Sequence, residues 1–340
     1  MELVVTENVP LAPYTTLHVG GSADVCTVVT TTEQLHTIRT YVREHQKPIV
    51  VLGGGSNVLV ADERVRGLVV VMRIGGISHT SQSDVVYLTA GAGEPLDSVV
   101  AYAVERGLWG MENLSHIPGT VGATPVQNVG AYGVEVADII HEVEVFDMET
   151  GTFCALTPAA CSFGYRDSLF KKKEGKKYII TSVTFALTTT PNPQTMYKDL
   201  AARFPEGSQP TLAEIRNEII AIRSQKFPDW NLVGTAGSFF KNPLITKAQA
   251  TVLQERYPEI PCYAAEDGRV KISLGYILDK ILGLRGYTEG KVGLFEKQAL
   301  VLVSESGACS TDIKQFAEKI IAQVKEKIGV AVEMEVTEIG

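Results

Sequence analysis

The sequence has few of the features that place a chain in a membrane or in an oxidising compartment. No apolar run approaches the roughly 20 residues of a membrane span, and the N-terminus, MELVVTENVP, has an early acid and no long apolar core. The five cysteines show no C-x-x-C spacing, which favours reduced thiols over a disulfide framework or a structural zinc site. We therefore expect a soluble, cytoplasmic protein that binds no membrane.

Basic charge is also scarce. The 31 Lys and Arg residues are outnumbered by 39 Asp and Glu, which gives a formal net charge of -8 and a pI near 5.4. Proteins whose main partner is nucleic acid usually carry a basic surface, so we expect no such partner here. The chain is 45% hydrophobic and 21% charged, as in ordinary globular proteins, and its 340 residues suggest two or three domains.

The common catalytic signatures are missing as well. The sequence contains no H-E-x-x-H, no G-x-S-x-G and no Walker loop, and its six histidines are scattered without ligand spacing. We therefore expect no metal site. Any chemistry has to rest on residues that stand in unusual neighbourhoods.

The most unusual neighbourhood lacks charge altogether. Residues 117–132 read IPGTVGATPVQNVGAY, with three glycines, two prolines and no charged side chain. An amphipathic helix would not tolerate this composition, and a solvated loop of this length normally carries charges. The glycines and the lack of charge are both explained if this backbone lies close against a bulky group and exposes its amides to form hydrogen bonds with it. We interpret the segment as half of a cofactor cradle.

A second glycine-rich loop follows a βαβ pattern over residues 24–52. The pattern opens directly into Gly53-Gly54-Gly55-Ser56-Asn57, and residues 58–60 are again strand-like where a Rossmann fold would have a helix. Such a loop offers phosphate groups a nest of backbone amides without a helix terminus. A plain turn is the alternative for this loop taken alone.

Further along the chain, helix and strand patterns alternate without an internal repeat, which indicates a mixed α and β class. Pro228 follows a predicted helix and is the best candidate for a domain boundary. The patterns predict strands at 68–72, 85–90, 178–187, 299–303 and 330–336, a hairpin at 142–156, and helices at 95–106, 212–226, 247–256, 274–282 and 312–328.

Three polar residues stand out, and each has an ordinary explanation beside a functional one. Ser238 lies in an apolar stretch and is either a turn or cap residue or a hydroxyl that donates a proton in a dry pocket. Arg166 forms either a structural ion pair or a two-point grip on a substrate carboxylate. Glu335 alternates with Glu333 on a predicted strand, so a solvent-facing position is the alternative to a catalytic one.

Taken together and in order, the motifs resemble a known family. The Gly-x-Gly-Ser-Asn loop and the segment that begins at Asn113 are similar to the flavin-binding fold of vanillyl-alcohol oxidase. Three narrower motifs resemble the UDP-N-acetylenolpyruvoylglucosamine reductase (MurB) family: PVQNVGAYG at 125–133, FGYRDS at 163–168 and GSFFKNP at 237–243. The excursion that holds Tyr197 resembles the tyrosine loop of the first of the family's two types. The match covers nearly the whole chain.

The resemblance implies an α+β fold, with a two-part FAD-binding domain of the vanillyl-alcohol oxidase type and a smaller α/β substrate-binding domain. Residues 1–74 would form the first FAD-binding subdomain and 75–228 the second, to which the C-terminal strand, 329–340, would return. Residues 229–328 would form the substrate-binding domain. The implied ligands are non-covalent FAD, NADPH as co-substrate and a UDP-sugar substrate, with the chain acting as a monomer that has no obligate protein partner.

The resemblance also assigns site residues. The implied cofactor-binding residues are Gly53, Gly54, Gly55, Ser56, Asn57, Pro118, Gly119, Gly122, Ala123, Gln127, Asn128, Gly130, Ala131 and Tyr132. The implied substrate-binding residues are Tyr165, Tyr197, Lys226, Lys241, Asn242 and Gln298. The implied catalytic residues are Ser238, Glu335 and Arg166.

The implied reaction reduces an enolpyruvyl ether through NADPH and FAD. Arg166 and a protonated Glu335 would stabilise negative charge on the substrate carboxylate, and Ser238 would protonate the alpha carbon. Two alternatives stay open at this point. One is another FAD-dependent sugar or alcohol oxidase on the same fold, and the other is a nucleotide-binding module that keeps the cradle without chemistry.

Overall fold

The computed structural model describes residues 3–265 and 267–340, and the chain divides into two compact units. The first unit runs to Val9 and then includes Ala23–Gly55 and Arg66–Arg223. The second unit is formed by Pro10–Ser22, Ser56–Val65 and Ser224–Gly340. The boundary between the two units falls within the glycine-rich loop at 53–57, after Gly55.

The helices agree closely with the sequence patterns. The helix predicted at 212–226 has these bounds in the structure, and the pattern at 274–282 forms a short helix that continues as a π-helical turn, Ile277–Ile281. The α-helices are α1 Gln34–His45, α2 Leu96–Glu105, α3 Pro158–Cys161, α4 Lys198–Ala201, α5 Leu212–Lys226, α6 Lys247–Arg256, α7 Leu274–Tyr276 and α8 Ser310–Ile328. Short 3-10 turns lie at Ala12–Tyr14, Glu112–Leu114, Val121–Ala123, Val136–Asp138, Leu169–Lys171 and Lys173–Gly175.

The strands are mostly short. They are β1 Thr6–Pro10, β2 Ser22–Val29, β3 Ile49–Leu52, β4 Val58–Val60, β5 Val65–Met72, β6 Ile77–Gln82, β7 Val85–Gly91, β8 Gly130–Ala131, β9 Val134–Glu135, β10 Ile140–Asp147, β11 Thr152–Leu156, β12 Tyr178–Thr188, β13 Gly234–Ser238, β14 Leu244–Ile245, β15 Cys262–Ala264, β16 Val270–Ile272, β17 Thr288–Glu289, β18 Val292–Phe295, β19 Gln298–Ser304 and β20 Thr337–Ile339.

Two larger sheets build the first unit. One has the order β1-β2-β5-β3, with β3 and β5 parallel, and the other is antiparallel in the order β11-β10-β12-β7-β6. Inward side chains of both sheets and of helices α1 and α2 form one buried core, which includes Leu35, Val70, Leu88, Val99 and Phe185. The βαβ pattern and the predicted hairpin are therefore confirmed.

The second unit has its own core around α8. Ile313, Phe316, Ile320 and Val324 recur at helical spacing and are all buried, as the 3.6-residue period requires. This face packs with side chains of the sheet β13-β19-β18-β17. Gly329 ends the helix in the left-handed conformation, with φ of 71°, which glycine adopts at low cost.

The C-terminal strand differs from the prediction. The sequence predicts a strand at 330–336, but the structure forms β20 at Thr337–Ile339 and pairs it in parallel with β4. Residues 333–335 are held instead by an isolated bridge between Met334 and Phe240. The alternating pattern predicts extended backbone correctly but does not identify its pairing partner.

No helix in the described part of the chain combines the length and the apolarity that a bilayer crossing demands. The remaining three-part domain division stays a prediction.

Candidate active site

The two glycine-rich segments of the sequence meet in the first unit. A Cβ added to Gly54 would lie 2.8 Å from the Cα of Gly119, and one added to Gly53 would lie 2.4 Å from Thr120 Oγ1. Both distances are too short for a real side chain, so the two backbones approach as closely as only glycine allows. The interpretation of the segments as two halves of one cradle therefore agrees with their position.

Hydrogen bonds fix both halves. The guanidinium of Arg73 donates to the carbonyl of Gly53 over 3.0 Å, just after the end of β3. The amide of Gly122 donates to Ala92, and the carbonyl of Gly119 accepts from Leu96, so the second segment lies along residues 92–96. A Cβ on Gly122 would lie 2.6 Å from the Cβ of Ala92. Each glycine thus serves a close backbone contact.

Thr120 supplies a polar group that fits an anionic ligand. Its side-chain oxygen is buried, and within residues 3–265 and 267–340 it has no hydrogen-bond partner. A buried hydroxyl without a partner costs about 1 to 3 kcal/mol, which an acceptor oxygen of a bound group would recover. A phosphate oxygen is such an acceptor, and the surrounding glycine backbone leaves no side chain to hold it away.

Asn128 organises the later part of the uncharged segment. It is 2% exposed with φ of 46°, and its amide donates to Glu135 Oε2 over 2.6 Å and to the carbonyl of Gly164 over 3.2 Å. Its Oδ1 accepts from the amide of Ala137. These contacts give the Asn128 side chain a role in fixing the loop, and its part in cofactor binding stays a prediction.

Arg166 is joined to the same loop. Its guanidinium donates to the carbonyls of Asn128 and Gly130 over 3.3 and 3.1 Å, and it lies 3.7 Å from a carboxylate oxygen of Glu135. Arg166 has φ of 54°, and its guanidinium carbon lies 5.3 Å from the centre of the Tyr165 ring. The sequence-predicted Arg166 and Tyr165 therefore belong to one cluster with the segment 128–130.

Tyr132, at the end of the segment, is enclosed by aromatic and basic groups. It is 8% exposed with φ of 49°, its ring lies edge-on to Tyr197 with centroids 5.4 Å apart, and it is hydrogen-bonded to Arg223. Burial raises the pKa of Tyr132 to about 12. The phenol is therefore neutral at physiological pH. The structure thus brings Tyr197 against the end of the uncharged segment, and its role in substrate binding stays a prediction.

In the second unit, Ser238 and Glu335 lie on neighbouring backbone segments. Ser238 ends β13, where it pairs with Val301, and the next residue, Phe239, accepts a 2.8 Å hydrogen bond from the amide of Glu335. The amide of Lys241 donates to the carbonyl of Glu333, which completes a short antiparallel pairing of 239–241 with 333–335. The backbone segments of Ser238 and Glu335, which stand 97 positions apart in the sequence, are thereby brought close together.

Asn57 also contacts this pairing. Its side-chain amide donates to the carbonyl of Glu335 over 3.3 Å, and its own carbonyl accepts from the amide of Thr337. Ser56 and Asn57 belong to the second unit, whereas Gly53, Gly54 and Gly55 belong to the first. The side chain of Asn57 therefore supports the Glu335 backbone, a role that the glycine-loop motif did not predict.

The remaining predicted substrate residues are also in the second unit. Lys241 forms a 3.0 Å ion pair with Glu333, and Asn242 accepts from the amide of Leu274 at the start of α7. Gln298 begins β19, and a Cβ on Gly275 in α7 would lie 3.3 Å from its Oε1. Asn242 and Gln298 thus both lie at α7. Lys226 ends α5.

This region of the first unit is also held by residues that the sequence motifs did not indicate. Arg216 forms a two-point ion pair with Asp97, with distances of 2.6 and 2.9 Å, and Arg223 donates to the carbonyl of His116. Arg216 and Arg223 are seven residues apart on α5, so they share one face of the helix. From the sequence, that seven-residue spacing could have indicated that the two arginines lie on the same face of α5.

Comparisons with known proteins identify the family. Residues 23–157 match the model of an FAD binding domain, and residues 228–339 match that of the UDP-N-acetylenolpyruvoylglucosamine reductase C-terminal domain. The UDP-N-acetylenolpyruvoylglucosamine reductase of Neisseria meningitidis is 42% identical over 314 residues, which cover 91% of this chain and 90% of that protein. This chain belongs to the UDP-N-acetylenolpyruvoylglucosamine reductase family.

Two further relatives support the same family assignment. The reductase of the same name from Pseudomonas aeruginosa is 39% identical over 338 residues, 98% of this chain and 99% of that protein. The crystal structure of the MurB reductase from Thermus caldophilus aligns over the full length of both chains with a TM-score of 0.67 and 26% identity. The resemblance drawn from the motifs, the fold class and FAD as the cofactor are confirmed. The individual site residues stay predictions.

Proposed function

We propose that this chain catalyses the NADPH-dependent reduction of UDP-N-acetylglucosamine enolpyruvate to UDP-N-acetylmuramate through the residues predicted above. The reaction belongs to peptidoglycan precursor synthesis and so serves cell-wall formation, cell shape and division. Membership of the reductase family over more than nine-tenths of the chain supports the reaction. The observation that supports its chemistry is the pairing of 239–241 with 333–335, because Glu335 bonds Phe239, the residue that directly follows Ser238.

When bound, FAD would supply the hydride chemistry that links NADPH to the terminal methylene of the enolpyruvyl ether. The residues that would hold its phosphates are those of the cradle, Gly53–Gly55 and Pro118–Ala123, with the Thr120 hydroxyl as a donor. The later segment, Gln127–Tyr132, would continue the contact. FAD is held without a covalent bond to the chain.

Two residues stabilise the negative charge that hydride addition leaves on the substrate. Arg166 is fixed by the carbonyls of Asn128 and Gly130, so its guanidinium is oriented before the substrate arrives. A protonated Glu335 shares the substrate carboxylate with Arg166 as a hydrogen-bond donor. Both groups act on charge that develops during the reaction, which is where stabilisation raises the rate.

Ser238 donates the proton that completes the reaction. A serine hydroxyl is a weak acid, so it can serve here only because the alpha carbon is strongly basic once the hydride has been added. Its position at the end of β13, directly before two buried phenylalanines, keeps the hydroxyl at the edge of an apolar environment. Exclusion of water from such an edge favours transfer from serine.

The remaining residues bind the substrate. Tyr197 and Lys226 would meet the UDP diphosphate, whereas Tyr165, Lys241, Asn242 and Gln298 would contact the rest of the UDP-sugar. The ion pair of Lys241 with Glu333 does not oppose this role, because the Glu333 side chain is 75% exposed and such pairs contribute little. Substrate can therefore replace Glu333 at low cost.

The proposal extends to the organisation of the protein. Residues 1–74 and 75–228 form the two FAD-binding subdomains, and residues 229–328 bind the substrate. The enzyme acts as a monomer in the cytoplasm, where NADPH and nucleotide sugars are available and its free cysteines stay reduced. Neither nucleic acid nor a membrane is a partner.

Isotope transfer tests the proposed reaction. Purified FAD-loaded protein is given NADPH deuterated at the transferred position, or unlabelled NADPH in heavy water, together with the enolpyruvyl sugar. We expect deuterium from heavy water both on the alpha carbon and in the product methyl group, and little label from NADPH, because the hydrogen that the reduced flavin transfers sits on nitrogen and exchanges with solvent. Consumption of NADPH without a reduced sugar, with oxygen as the acceptor, would overturn the proposed reaction.

A further inference from the structure

The chain between β12 and α5 makes an excursion that carries Tyr197. Its second half is anchored by apolar contacts, since Leu200 in α4 is fully buried with Leu212, Ile215 and Ile219 of α5. Its first half, residues 189–196, has no helix or strand and contains Met196 with 87% exposure. Tyr197 lies at the junction of the anchored half and the exposed half.

Asn113 holds the first half. It is fully buried, and its side-chain nitrogen donates two hydrogen bonds of 2.8 Å, one to the carbonyl of Tyr132 and one to the carbonyl of Gln194. Its Oδ1 has no hydrogen-bond partner in the described chain. Both amide hydrogens are thus used on two segments that are 62 residues apart in the sequence.

This arrangement admits only one orientation of the amide. A flipped side chain would direct Oδ1 at two carbonyl oxygens, which can only accept hydrogen bonds. The contact therefore depends on an NH₂ group at this place, and a carboxylate of the same shape could not make it. It joins the end of the uncharged segment to the residue three positions before Tyr197.

We propose that Asn113 is a positioning residue that holds the Tyr197 excursion against Tyr132 and so sets the UDP-sugar affinity. Without the two bonds, the carbonyl of Tyr132 is left buried without its donor, whereas the carbonyl of Gln194 can turn to water. The excursion then opens more often, and Tyr197 leaves its edge-on contact with Tyr132. The consequence for substrate binding rests on the proposed function of Tyr197.

Two variants and a matched control test the role of Asn113. Asn113→Leu keeps the approximate size but removes all polar atoms, and Asn113→Asp keeps the shape but removes both donors. The control is Gln194→Ala, because Asn113 bonds the backbone carbonyl of Gln194 and not its side chain. Each variant is first checked for FAD content and melting temperature, so that a folding defect is recognised.

The readouts are hydrogen exchange in the FAD-bound protein and steady-state kinetics. In both Asn113 variants, peptides that cover 192–197 should exchange roughly tenfold faster than in the wild type, while α5 keeps its protection. The KM for the enolpyruvyl sugar should rise by about the same factor, with flavin reduction at saturating NADPH unchanged. Gln194→Ala should match the wild type in both readouts. If Asn113→Leu does not fold, Asn113→Asp decides alone.

The outcomes separate this proposal from the proposed function. Unchanged exchange at 192–197 in a folded Asn113 variant would overturn the positioning role, and so would faster exchange with an unchanged KM. A wild-type protein that does not reduce the enolpyruvyl sugar would overturn the proposed function instead. The exchange result would then still report whether Asn113 holds the excursion.

Discussion

The amide of Glu335 donates a 2.8 Å hydrogen bond to the carbonyl of Phe239, the residue that directly follows Ser238. Because Phe239 in turn donates to Leu300 of β19, the Ser238 segment is held from both sides. Backbone bonds of this kind do not depend on the side chains of Ser238 or Glu335. Either side chain can therefore be replaced with little disturbance of the other, which makes the proposed roles separable by mutation.

Replacement of the proton donor should affect only one half of the reaction. Ser238→Ala should leave flavin reduction by NADPH intact and slow the reoxidation of flavin by the enolpyruvyl sugar by at least about a hundredfold. Rapid-mixing absorbance measurements resolve the two steps, and Ser238→Cys, which keeps a transferable proton, should retain more activity than Ser238→Ala. Equal losses in both half-reactions would show that Ser238 is not the proton donor.

A methyl group in the cradle should weaken FAD binding. In Gly54→Ala the new Cβ would lie 2.8 Å from the backbone of Gly119, so the two segments must separate. Overpacking of this kind costs about 1 to 3 kcal/mol, and we expect FAD affinity to fall by roughly five- to a hundredfold in a titration of apoprotein. Gly164→Ala is the control, because its Cβ would meet Asp167 Cβ at an ordinary 3.9 Å. Equal affinities for Gly54→Ala and wild type would contradict the cradle.

Positions that only glycine can occupy made the close approach of these two segments predictable from the sequence. Glycines 53, 54, 119 and 122 indicated a close approach, and the structure brings their segments together. Pairings between distant segments were harder to predict. The sequence placed the last strand at 330–336, but its extended backbone pairs with 239–241, and the strand itself begins at Thr337. A period of two identifies extended chain and carries no information about its partner.

The ion pair between Asp97 and Arg216 should stabilise the first unit in a pH-dependent way. Burial alone raises the pKa of the Asp97 carboxyl, but the hydrogen bonds from Arg216 and His116 outweigh it, so the pKa lies below its usual range. A lowered folded-state pKa gives stability that is present above the ordinary value of about 3.9 and is lost as the pH falls through the folded value. Asp97→Asn should therefore cost about 1 to 2 kcal/mol at neutral pH.

Melting curves of wild type and Asp97→Asn between neutral and acid pH test this dependence. The difference in melting temperature should be largest at neutral pH and should shrink below about pH 4. Glu105→Gln is a suitable control, because the Glu105 side chain is 73% exposed and its 3.7 Å contact with Arg106 contributes little. A difference between wild type and Asp97→Asn that does not change with pH would contradict the assignment.

Tyr132 should show the opposite pH dependence. Burial raises its pKa to about 12, so the folded protein favours the neutral phenol. The resulting stability is fully present below the ordinary tyrosine value of about 10 and is lost as the pH rises toward 12. The difference between the ultraviolet titration curves of wild type and Tyr132→Phe should therefore show a phenol that ionises well above the ordinary tyrosine value. If the phenol that Tyr132→Phe lacks titrates near pH 10 in the wild type, the buried environment of Tyr132 is refuted.

The arginines of α5 illustrate what residue-by-residue reasoning could not find. Arg216 contacts Asp97, and Arg223 contacts His116 and Tyr132; these partners lie between 91 and 119 residues earlier in the sequence. Their seven-residue spacing identifies a shared helix face, but the groups on the opposite side are known only once the chain is folded. Asn113 is a similar case, since its partners are backbone carbonyls that leave no trace in the sequence.

The most direct test of the function is an anaerobic stopped-flow experiment on the FAD-loaded wild-type protein. NADPH is added first and the enolpyruvyl sugar second, while the visible absorbance of the flavin is followed. We expect NADPH to bleach the flavin absorbance and the sugar to restore it rapidly. A reduced flavin that ignores the sugar and is reoxidised only when oxygen is admitted would contradict the proposed function.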